Sequence, residues 1–244
     1  VNGSLDAPLV GWPAFAHVAI FAIALPYGAW LSGRRLAHSD LPPRLNHFAA
    51  VILQQLIFGA IAIAVANWGG VTLLPSALPS AVDWAMGGAF LATAVAWSEP
   101  QWQQAIRERD RRVHLVAPRL PSERVLWAGV ASAAGVFEEI AYRGVLFAIL
   151  QSWTGSGVAA AAIAATAFGA AHLVQGRKAS GYVVVIGLGF HALVWATGGL
   201  VVAIAVHIAF DLIAGYRIAH LADEAGLPLE APSVAIGSPA RTPS

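Results

Sequence analysis

The sequence has no cysteine, a single lysine and one methionine, and only 11% of its residues are charged. Without cysteine there is no disulfide framework, no thiol nucleophile and no cysteine-ligated metal. With so little charge, 244 residues cannot clothe a soluble domain in hydrated side chains, whereas a surface facing lipid needs none. The net charge of +1 says nothing about partners, and no basic block interleaved with aromatics points to nucleic acid. Period-2 alternation is also missing, which excludes a barrel. Helices remain, because no water in a bilayer core can satisfy an open backbone.

What is present is apolar, at 58% of the chain and a mean hydropathy of +0.67. Apolar stretches at 12–32, 48–67, 82–98, 125–150, 158–175, 181–198 and 200–218 reach or approach the roughly 20 residues that a span requires. The first lacks a basic leader and a clear small-residue cleavage site, so it is expected to be a retained helix. Basic side chains fall in alternate connections: Arg34, Arg35 and Arg44; Arg107, Arg109, Arg111, Arg112, Arg119 and Arg124; Arg177 and Lys178; then Arg217 and Arg241 at and after the end of the last stretch. Only Arg143 lies in the interior of a stretch, and the opposite connections carry no Lys or Arg. The expected fold is therefore an all-α, polytopic transmembrane helical bundle of about seven spans, N-terminus out and C-terminus in. Arginine in place of lysine, with abundant Ala and Gly, fits a GC-rich genome and a bacterial cytoplasmic (inner) membrane.

Three regions follow: an N-terminal three-helix membrane region with a basic cytoplasmic loop (1–120), a four-helix core (121–218), and a Pro/Ser/Ala-rich cytoplasmic tail expected to be flexible (219–244). Residues 99–124 read as a short charged helix followed by Pro-punctuated coil. No internal repeat is visible.

Ionisable groups inside a membrane are expensive, so each needs an explanation. Glu138, Glu139 and Arg143 lie in FEEIAYRGVLF, Phe168 and His172 in FGAAHL, and His207 and Asp211 in HIAFD. Residues four apart share a helix face, which pairs Glu139 with Arg143 and His207 with Asp211. Glu138 lies about 100° round the helix from Glu139. It is left for chemistry, with Tyr142 at i+4 as its expected hydrogen-bond partner. Glu138, His172 and His207 from three helices could bind a metal, zinc or another divalent ion, or position a water directly. His17 and His191 stand outside this pattern and read as packing residues; a tetrapyrrole-ligand role is a further reading for His17.

These residues resemble the CPBP family, which includes the CAAX prenyl endopeptidases and many Abi-type, bacteriocin-processing bacterial proteins. The shared pattern is Glu-Glu-x-x-x-Arg (Glu138, Glu139, Arg143), Phe-x-x-x-His (Phe168, His172) and His-x-x-x-Asn/Asp (His207, Asp211), in that order over about residues 121–218. The resemblance implies intramembrane endoproteolysis of a peptide or membrane-protein substrate. Glu138 and His172 would activate water; His207 and Asp211 would bind metal or stabilise the oxyanion. Both zinc and metal-independent glutamate mechanisms exist within it. Asp211 in place of Asn supplies a charged acceptor instead of an amide donor, which weakens an oxyanion role at that position. A different class of protein also fits the composition: a non-catalytic scaffold subunit on the same fold, with a membrane partner holding the tail. A proton-relay transporter using Glu138 and Glu139 fits less well without a repeat.

Overall fold

A computed structural model describes residues 9–36, 38–73 and 77–229. All regular structure among them is helical. We label seven rods: α1 (Trp12–Leu36), α2 (Arg44–Gly69), α3 (Ala81–Arg107), α4 (121–154), α5 (Gly157–Ala171), α6 (Arg177–Thr197) and α7 (Leu200–Glu224). Two of them change pitch. α1 is π-helical over Ala19–Ala24, and α4 runs as α-helix through Pro121–Glu138, as π-helix through Glu139–Leu146 and as α-helix through Phe147–Thr154. Helix ends follow local chemistry. Pro13 and Pro121 sit in first turns, where a missing N–H costs nothing. Ser80 and Asp83 form a capping box on α3, Ser156 caps α5, and left-handed Gly70, Gly155 and Gly198 stop α2, α4 and α6.

Contacts between helix ends show that the chain runs back and forth between two rims. On the arginine-free rim, Leu9 bonds to Ser152 and Trp153, Gly11 abuts Trp68, and residues 77–83 share a pocket with 197–202. On the arginine-rich rim, Arg111 donates to the carbonyls of Leu36 and Ser39, Arg44 pairs with Glu123, and Arg217 with Glu99. Trp12, Trp68, Trp84, Trp153 and Trp195 are all exposed near the arginine-free rim, as in an interfacial aromatic belt. Helices α1, α2, α6 and α7 are long and apolar enough to cross a membrane; α5 is a shorter apolar helix.

Two expectations need correction. The charged stretch after residue 98 is no separate helix: α3 continues through Pro100 to Arg107, and only then does a 3-10 turn, Arg111–Leu115, follow. The last rod also runs to Glu224, six residues into the expected tail. Arg119 there bonds to Asp223 and to the carbonyls of Leu227 and Pro228, while Arg44 reaches the carbonyl of Leu229. The remainder of the tail, and Arg241 in it, lies outside the described residues.

Candidate active site

The centre of the bundle is a chain of polar contacts rather than isolated pairs. Glu139 and Arg143, both fully buried, meet at 3.1 Å along α4. The same Glu139 oxygen accepts from His207 Nδ1 at 2.8 Å. Sequence spacing gave Glu139 one partner; the fold gives it two, because α7 packs on the π-segment. The Arg143 guanidinium lies 4.2 Å from the Phe168 ring centre and 5.2 Å from that of Phe190. Such cation–π contact supports the charge in a dry interior. Phe168 thus earns its place in the motif. Gly187 lets α6 approach: a methyl group there would sit 3.3 Å from Arg143 Nη2.

His207 turns its other nitrogen to two further carboxylates. Nε2 lies 3.7 Å from Glu138 Oε2 and 3.7 Å from Asp211 Oδ2. The i+4 pairing of His207 with Asp211 is therefore realised, as is that of Glu139 with Arg143. The expected Tyr142 bond to Glu138 is not: the Tyr142 hydroxyl donates to the Phe21 carbonyl at 3.3 Å. Glu138 Oε1 is held instead by Gln55 Nε2 of α2, at 2.5 Å. Sequence reasoning missed Gln55. The signal was there, as an adjacent glutamine pair in the middle of an apolar run.

His172 closes α5 and points its Nδ1 at the Phe168 carbonyl, 2.8 Å away. A carbonyl only accepts, so Nδ1 donates to it, and the neutral ring then carries its lone pair on Nε2. Glu138, His172, His207 and Asp211 all line one cavity of about 430 Å³. Its walls are aromatic (Phe21, Phe48, Phe58, Phe168, Phe190, Phe210), and it extends to Asp110 and Arg112 on the arginine-rich rim. Glu139 and Arg143 are not in its wall. The two outlying histidines are packed away. His17 donates to the Ala141 carbonyl at 3.1 Å and stacks on Phe21. His191 is buried against Phe147.

The fit to a metal can be tested on the donors themselves. Among the described residues no three His, Cys, Asp or Glu side chains converge closely enough to hold an ion. The 3.7 Å separations at His207 are those of neighbours across a small gap. Glu138, His172 and His207 share the cavity wall without forming a closed ligand set in this arrangement.

An all-helical bundle with several membrane-length rods and a buried Glu/His site describes a polytopic membrane protein with the makings of a hydrolase. Residues 121–213 match the family model described as Rce1-like, type II CAAX prenyl endopeptidase Rce1-like. Over that stretch the chain is similar to the type II CAAX prenyl endopeptidases, which supports the resemblance to the CPBP family of intramembrane proteases. No curated protein and no solved structure matches the chain.

Proposed function

We propose that the protein is an intramembrane endopeptidase in which Glu138 and His172 activate water and His207, seconded by Asp211, stabilises the oxyanion. The observation that carries this reading is that these four side chains, from α4, α5 and α7, line one cavity continuing to the arginine-rich rim. Hydrolysis consumes water, and that rim is where water can enter. In this scheme Glu138 Oε2 takes a proton from a water held with His172 Nε2, and the hydroxide adds to the peptide carbonyl. Nδ1 of His207 is fixed on Glu139, so a proton on Nε2 points at the developing oxyanion. Glu138 then returns its proton to the departing amine. Glu139 and Arg143 hold His207 in place from outside the cavity.

The same reading places seven spans in a bacterial cytoplasmic membrane, N-terminus out, with the arginine-rich rim in the cytoplasm. The substrate is a peptide segment of a membrane protein. Purified protein in bilayers should cleave members of a membrane-peptide library, and Glu138→Gln, His172→Ala and His207→Ala should each insert normally and cleave nothing. If all three variants cleave like the wild type, the roles given to these residues fail; if no library member is cut while the chain copurifies with a membrane partner, the enzyme reading gives way to a scaffold subunit.

A further inference from the structure

Gln55 belongs to α2, outside the stretch that matches the protease family. It is 8% exposed, and its amide makes a 2.5 Å hydrogen bond to Glu138 Oε1. Three features turn this into more than a satisfied polar group. First, the bond divides the labour of the carboxylate: Oε1 is occupied by Gln55, while Oε2 faces His207 Nε2 across 3.7 Å. Second, the approach of α2 is built for it. Gly59, one turn beyond Gln55, has the Phe137 ring where a Cβ would stand, so α2 lies close against α4 at the residue preceding Glu138. Third, His47, Phe48, Val51, Gln54, Gln55 and Phe58 form one helical stripe of α2 along the cavity wall, so Gln55 borders the reaction space itself.

We infer that Gln55 is a positioning residue for the proposed hydrolysis: it fixes one oxygen of Glu138 so that the other is presented to water in the cavity. The inference rests on the protease reading above. It also gives the N-terminal helices a share in the chemistry. A carboxylate on a two-carbon stem has several rotamers, and an amide donor at one oxygen selects among them without entering the reaction.

Gln55→Met keeps the length and bulk of the side chain and removes the donor. The expected result is a fall in kcat of about tenfold to a hundredfold, KM unchanged, and an unchanged thermal midpoint. A spectroscopic readout belongs with it. The Glu138 carboxylate stretch, isolated as the infrared difference between wild type and Glu138→Gln, should shift in Gln55→Met. If Gln55→Met does not insert, Gln55→Asn, one methylene too short to reach, should show the same kcat loss and band shift. A folded variant that keeps the wild-type kcat, or that raises only KM with the band unmoved, overturns the inference. The two failures are separable. An active Glu138→Gln removes the catalytic role that the protease reading gives to Glu138, whereas an inactive Glu138→Gln beside a fully active Gln55→Met removes only the role given to Gln55.

Discussion

Glu138 and Glu139 are neighbours in sequence, yet the structure predicts opposite consequences for the same substitution. Glu139 is fully buried, shares one oxygen between Arg143 and His207, and stands outside the cavity wall. Replacing it with Gln keeps the shape but leaves Arg143 as a buried charge without its anion. Breaking a buried pair in this way costs about 3–5 kcal/mol. The Phe168 and Phe190 rings on the guanidinium return some of that, on the order of 1–2 kcal/mol for a desolvated cation. The expected net loss is about 1–4 kcal/mol. Glu138→Gln removes a cavity-lining carboxylate whose protein bond is the one from Gln55, so its stability loss should be within about 1 kcal/mol, while cleavage disappears. Reversible unfolding in bicelles, read beside cleavage rates, separates the two. Because the penalty comes from an orphaned cation, Glu139→Gln combined with Arg143→Met should be more stable than Glu139→Gln alone. Equal stability losses for the two Gln variants, or a double variant worse than the single, would refute the reasoning.

Three further outcomes are expected. The chain has no native cysteine, so Leu78→Cys, exposed on the arginine-free rim, should react with an impermeant thiol reagent from outside, and Glu108→Cys should react only after permeabilisation. Asp211→Asn should retain most activity, because the resemblance admits either residue there and the amide still faces His207; Asp211→Leu should lose it. On the arginine-rich rim, burial first and the Arg44 charge second hold the His114 imidazole below its usual 6.5. As pH falls through 6.5 the unfolded chain takes up a proton that the folded chain refuses, so stability falls until the lower folded value is passed. Unfolding midpoints between pH 7 and 5 should show this slope in the wild type and a shallower one in His114→Gln.

Much of this was readable from the residues alone, and what was not has physical causes. The one-sided arginines and the apolar runs anticipated rods running between two rims, because both follow from the cost of burying charge in lipid. The i+4 pairs were read correctly where a partner sits on the same helix, as with Glu139–Arg143 and His207–Asp211. The failures lie where a second helix intervenes. Nothing in spacing says that His207 shares Glu139, or that Gln55 reaches Glu138 across Gly59 and Phe137. The π-segment has no signature that residue spacing can read, and neither has the bond from Tyr142 to the Phe21 carbonyl of another helix. The search for costly groups looked for charges, so an uncharged amide in a membrane helix passed unremarked. The charged residues after 98 suggested a separate helix, yet α3 continues through Pro100 to Arg107.

The shortness of α5 has a bearing on the surrounding lipid. Its 15 residues rise about 22 Å, against a hydrocarbon layer of about 30 Å. Val158 and Ile163 on its outer face are exposed, so bilayer and helix must settle this mismatch where they touch. Lipids beside a short rod thin, or polar headgroups sink to meet its end. The end in question carries His172 and the 3-10 turn Leu173–Gln175, with the Arg112 guanidinium lodged against Gly176. A dimple in the membrane would thus form beside His172. An extended peptide entering there would have less oil to cross than at any of the 25-residue helices, and the thickness of the host bilayer becomes a variable that tunes access to the site.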